Sequence, residues 1–130
     1  YHLFDPKTAA RHRRSIYRFV VRSQPDPWMS VLDCADSSQS TPKRSETLTA
    51  LQALSLMNND FNLLMAERFA ERLQQEANKV PKQIEIGFHL STGRMPTQAE
   101  QSTLVQHTHN HGLKNTCRLL LNLSELMFVD

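Results

Sequence analysis

Three imidazoles crowd a short stretch near the end of this sequence: His107, His109 and His111 alternate with Thr108 and Asn110 just ahead of Gly112. On a helix, residues four apart share a face, so His107 and His111 could reach one metal ion between them. His109 falls on the opposite side, and no Glu follows His107 as the His-Glu-x-x-His motif of zinc proteases requires. The pair therefore lacks a third ligand. The reading favoured is solvated imidazoles complementing the negative end of a helix that stops at Gly112; no metal is assigned, and His107 and His111 are the candidates if one binds.

A second group lies at the other end. Arg13, Arg14, Arg18, Lys43 and Arg44 are cationic, and guanidinium forks bind carboxylates and phosphates through paired hydrogen bonds. Arg13, Arg14, Asp33 and Arg44 form the candidate ligand set for an anion or acidic sugar. Asp26, Asp33 and Asp36 compete for the same cations, so a structural network of buried ionic and carbonyl bonds is the favoured alternative. Tyr17, Phe19 and Trp28 have faces that stack on sugars, although core packing is the commoner use. Ser37, Ser38, Ser40 and Thr41 carry hydroxyls without a glycine-framed elbow around any of them, so no catalytic residue is assigned. Gly87, Gly93 and Gly112 are isolated, which argues against a phosphate-cradling loop. The two cysteines, Cys34 and Cys117, stand far apart with no CxxCH, and the segment itself therefore holds no haem or other cofactor. Pairing and non-pairing both stay open for them, with unpaired, buried thiols favoured.

These residues must be carried by a small scaffold. The chain has 130 residues, 39% of them hydrophobic, enough for one core and one domain over 1–130. Fifteen basic residues against thirteen acidic ones leave a formal charge of +2, which gives no general reason to expect nucleic acid as a partner. No apolar run approaches the about 18–20 residues that span a bilayer, and the first residues lack the apolar centre of a signal peptide, so no membrane insertion is expected. The opening at Tyr1 inside running sequence suggests the C-terminal part of a larger protein, whose upstream domains would be its partners. The oligomeric state is not legible.

The pattern changes along the chain. Residues 1–45 read as a strand and loop region. Asp5-Pro6 suits a single helical turn through Ala10; Ser15–Arg22, rich in β-branched and aromatic residues, reads as one short strand; and Trp28–Arg44 reads as a long polar loop. Residues 46–130 read as helical. Leu48, Leu51, Leu54, Ser55 and Met57 form an apolar stripe that ends at Asn58-Asn59-Asp60. Phe61, Leu64, Met65, Phe69 and Leu73 then face inward from a helix of about five turns, with Glu67, Arg68, Glu71, Arg72 and Glu76 outside. Pro81 opens the next helix, with Ile84, Phe88 and Leu90 inward and Gly93 as its left-handed terminator. Thr97 and Glu100 have capping-box spacing for a helix reaching the histidines. A final helix from Lys114 to about Asn122 buries Leu113, Cys117, Leu120 and Leu121. The fold class is mainly α: a bundle of about five helices with one short N-terminal strand or ribbon and a long polar loop.

Three segments in this order carry a resemblance: RRSIYRFVVRSQPDPWMSVLDCADSSQSTPKR, TALQALSLMNNDF and the terminal CRLLLNLSELMFVD, with GFHLSTGRMPTQAE between the last two. They resemble the C-terminal domain of unknown function of large planctomycete secreted proteins that carry c-type cytochrome domains. Arg13, Arg14, Ser15 and Tyr17 match its RRSLY-like strand, Asp33 and Arg44 its loop, Leu51–Leu54 its LQAL helix, and Asn58 the asparagine ending that helix. Arg94, Arg118, Asn122 and Glu125 match the later segments. Leu48 and Ala50 depart from the TNTP often seen there, and Ser124 stands where Asn is common. The resemblance implies a periplasmic or cell-surface location, haem c on an upstream domain, and conditions in which a Cys34–Cys117 disulfide becomes less implausible. Three functional readings follow: a non-catalytic docking or structural module, with an exposed apolar patch near Ile16, Phe19 and Trp28; a fragment of an extracytoplasmic enzyme acting on a polysaccharide or other anionic substrate through Arg13, Arg14, Asp33 and Arg44; and, last, a nucleic-acid-binding module.

Overall fold

The computed structural model describes residues 26–34 and 49–127, together with Lys7, Thr8, Tyr17, Val21, Gln24 and Ser40. Seven α-helices stand among the described residues: α1 Pro27–Val31, α2 Ala50–Asn58, α3 Asp60–Glu76, α4 Val80–Thr92, α5 Gln98–His111, α6 Leu113–Leu120 and α7 Ser124–Met127. Five of them, α2 to α6, are the helices expected from periodicity. The chain packs as two compact units, residues 1–60 and 61–130.

In the first unit, the expected turn over 5–10 and most of the expected strand lie outside the described residues. Val21 and Gln24 pair in an isolated antiparallel bridge, with Gln24 N–H donating to Val21 C=O at 3.1 Å. The polar loop expected from Trp28 onward is corrected at its start, where α1 forms. Its cause is local: Asp26 Oδ1 accepts from Trp28 N–H at 2.9 Å, and Pro27 occupies the first helical turn, where its missing N–H costs nothing. The helix stops when Asp33 turns left-handed at φ 55°. Cys34 N–H then bonds back to Met29 C=O at 3.0 Å and Asp33 N–H to Ser30 C=O at 3.3 Å, the two bonds of a Schellman ending.

Thr49 caps α2, which packs against α1. The apolar stripe expected on α2 is also corrected: Leu51 and Leu54 are each 61% exposed, and Gln52 is the buried residue. The bond from Gln52 to Asp33 at the end of α1 holds the amide on the inner side, and Leu51 and Leu54 fall on the other.

The second unit is a helical bundle. Ala66, Ala70 and Leu73 of α3 are buried with Cys117 of α6, and Phe69, Ile86, Leu113 and Leu121 pack around them. The outer face of α3 carries the ion pairs Arg68–Glu71 and Arg72–Glu76. Helix α4 contacts α5, α6 and α7, and its inward side is Gln83, Ile84, Gly87, Phe88 and Ser91. Gly87 is required by close approach: a Cβ there would lie 2.8 Å from Leu73 Cδ1 and 3.2 Å from Leu120 Cδ1. Leu90, expected inward, is exposed; the helical period places it at the edge of the buried face, about 120° from Ile84. The chain turns at Gly93 with φ 78°, as its position predicts, and Thr97 with Glu100 forms the expected capping box on α5.

Candidate functional site

Of the anion-ligand set, Arg13, Arg14 and Arg44 lie outside the described residues, and Asp33 is described. Two elements position its carboxylate. The left-handed turn that ends α1 lifts it off the helix, and α2 brings Gln52, whose Nε2 donates to Asp33 Oδ2 at 2.9 Å. The Gln52 amide is oriented without ambiguity. Its Oε1 accepts from Thr49 N–H at 3.0 Å, which only an oxygen can do, so the NH2 group faces the carboxylate. Gln52 N–H in turn donates to Thr49 Oγ1 at 3.2 Å. One buried amide thus caps α2 and joins it to the end of α1. Towards Gln52 the carboxylate acts as a hydrogen-bond acceptor that joins the two helices.

The histidine cluster is carried by α5, and α6 returns beside it after Gly112. His107 Nδ1 lies 2.9 Å from Thr116 Oγ1, and Thr116 Oγ1 lies 2.9 Å from Thr108 Oγ1. Thr108 commits its only hydroxyl proton to Leu104 C=O at 2.7 Å. Thr116 Oγ1 has Gly112 C=O at 3.3 Å to donate to, as well as Thr108, and with its proton placed on either of these it accepts from the imidazole. The assignment from this network puts the proton of a neutral His107 on Nδ1 and leaves Nε2 with its lone pair. Thr116 is fully buried and Thr108 nearly so. The ring of His111 lies 4.6 Å from that of His107, centroid to centroid, tilted by 41°. The same-face expectation for this pair is met. Among the described residues no group of three His, Cys, Asp or Glu side chains converges as a metal-binding set.

A third cluster ties the end of α4 to α5 and α7. Arg94 makes two forked pairs, through Nη1 and Nη2 with Glu100 at 2.9 and 2.7 Å, and through Nε and Nη2 with Glu125 at 3.0 and 2.8 Å. Its guanidinium carbon also sits 4.7 Å from the centre of the Phe88 ring. The Arg94 hydrogen bonds, followed by those from the Thr97 backbone and hydroxyl, hold the Glu100 carboxyl down to about 2, and the two carboxylates raise the Arg94 guanidinium above its usual range. The cluster is open to water, so the chemistry it offers is a brace between segments distant in sequence. Arg94 and Glu125 were flagged by the family resemblance; nothing in their spacing, 31 residues apart, showed that they pair.

Both cysteines are free thiols. Cys117 is buried as expected, and burial pushes its thiol up to about 12. Cys34 is exposed, contrary to the expectation that both are buried, because it follows the left-handed residue that carries the chain off α1. No helix among the described residues is long and apolar enough to cross a membrane.

Compared with known proteins, residues 3–108 match a family model described as PSD1, Protein of unknown function (DUF1553). That span takes in the first two resemblance segments and GFHLSTGRMPTQAE; the terminal segment lies beyond it. No curated protein and no solved structure matches the chain.

Proposed function

The chain belongs to this PSD1 family of proteins of unknown function, and from that membership we propose that it is a non-catalytic helical module that docks within a larger secreted protein. The observation that carries the reading is the pair Leu51 and Leu54, three residues apart on one side of α2 and each 61% exposed. Fully burying a leucine is worth about 1.5–3 kcal/mol. Two on one helical face are therefore a contact surface for an apolar partner, here an upstream domain of the same polypeptide. A secretory route, a planctomycete-type domain order and haem c on an upstream domain belong to this proposal, on the family resemblance.

The test is a Leu51→Lys, Leu54→Lys double variant of the full-length protein. Lysine forms helix about as well as leucine, so loss of stability reports a lost partner rather than a weakened helix. We expect a lower melting temperature for the full-length variant and faster limited proteolysis between the module and the rest. Unchanged melting and cleavage would rule out docking through this face.

A further inference from the structure

We propose that His107 and His111 form an open, two-imidazole site for a divalent transition metal ion of tetragonal preference, Cu2+ above Ni2+. The two rings share one face of α5 and stand 4.6 Å apart between centroids. A metal–imidazole bond of about 2 Å plus the radius of the ring puts each centroid about 3 Å from a shared ion. Two such legs span 4.6 Å at a nitrogen–metal–nitrogen angle of about 100°, so one ion is within reach of both rings. Cu2+ and Ni2+ take the square arrangement with nitrogen and oxygen ligands, and Cu2+ stands highest in the affinity order.

What raises this pair above two neighbouring surface histidines is the support behind it. Metal-bound imidazoles characteristically donate their second N–H to an oxygen, which fixes the tautomer and the ring plane. In the tautomer assigned above His107 does so: Nδ1 donates to Thr116 Oγ1 at 2.9 Å, Thr116 is held by Thr108 at 2.9 Å and Gly112 C=O at 3.3 Å, and Thr108 by Leu104 C=O at 2.7 Å. The chain of bonds ends on backbone and is buried at both hydroxyls, so the ligating lone pair on Nε2 is in place before an ion arrives. His107 is half-buried and His111 exposed, giving the ion a path from solvent. With no third protein ligand among the described residues, the remaining positions fall to water or an incoming anion, which makes the site open rather than structural.

The full chain, carrying Cys34→Ser so that the exposed thiol does not capture or reduce the ion, would be titrated with Cu2+, Ni2+ and Zn2+ by calorimetry. Electron paramagnetic resonance of the Cu2+ form counts the coordinated nitrogens. Expected is a Cu2+ site with two imidazole nitrogens, weakened at least about tenfold by His107→Ala or His111→Ala and unchanged by His109→Ala. Thr116→Val removes the support and is expected to cost about 10- to 100-fold in affinity, with Thr116→Ser restoring it; circular dichroism shows whether each variant is folded. His111 is exposed, so its variant tests the site even if Thr116→Val fails to fold. Binding that survives His111→Ala, that falls equally with His109→Ala, or that ranks Zn2+ above Cu2+ overturns the proposal.

Discussion

Asp33 shows how much one residue can be asked to do. It holds the left-handed position at which α1 ends, at φ 55°, where glycine is the usual occupant and aspartate and asparagine are the side chains that tolerate it best. Its carboxylate also accepts the Nε2 proton of the buried Gln52. Replacing it with alanine keeps the left-handed backbone and removes the carboxylate that the buried Gln52 amide donates to, a loss of about 1–3 kcal/mol. That loss should be read directly in urea unfolding of Asp33→Ala, at about 1–3 kcal/mol. Asp33→Asn retains both the backbone tolerance and a carbonyl acceptor and should lose less than about 1 kcal/mol. If asparagine proved as damaging as alanine, the negative charge itself, rather than an acceptor oxygen, would be what holds this turn.

Helix ends decide the elements. Two capping boxes, Thr49 with Gln52 and Thr97 with Glu100, set the starts of α2 and α5. Removing the second cap with Thr97→Ala should cost about 1 kcal/mol, read from the urea midpoint. Glu100 also links the cap to Arg94. Because the folded chain lowers this carboxyl from 4.5 to about 2, the stabilisation it gives is complete above about pH 4.5 and is lost as the pH falls towards 2. A Glu100→Gln variant keeps a capping amide and removes that titration. Its stability should consequently decline less steeply than the parent's across this acid window; coincident curves would show that the brace contributes nothing to folding. Helix α7, only four residues long, is held in the same cluster through Glu125, which is why no periodic signal announced it.

For the molecule as a whole, the two thiols report on opposite environments. Cys34 is exposed, whereas Cys117 lies in the core of the second unit with Ala66, Ala70 and Leu73. A thiolate is the reactive form, and burial keeps Cys117 protonated well beyond the ordinary value of 9.0. Native alkylation near pH 8 should therefore modify Cys34 rapidly and spare Cys117, which reacts only when the second unit opens. Mass spectrometry of labelled peptides with and without denaturant checks this, and equal labelling rates in the native protein would contradict the packing around Cys117.

Much of the helical half was legible because its signals are local. The break at Asn58–Asp60, the left-handed Gly93, the Thr97–Glu100 box and the burial of Ile84, Phe88, Cys117 and Leu120 all follow from residue type and a 3.6-residue period. The side of α2 that turns inward was not, since an apolar stripe at Leu51 and Leu54 and an amide at Gln52 differ by packing rather than by pattern. Nor did spacing reveal Thr116 behind His107 or Glu125 beside Arg94. Sequence alone determined helices α2 to α6, the ends at Gly93 and Thr97–Glu100, and the family. Tertiary structure decided which faces meet and which polar atoms find partners, because a hydrogen bond between residues remote along the chain depends on where two elements come to rest, and neither element's own sequence encodes that.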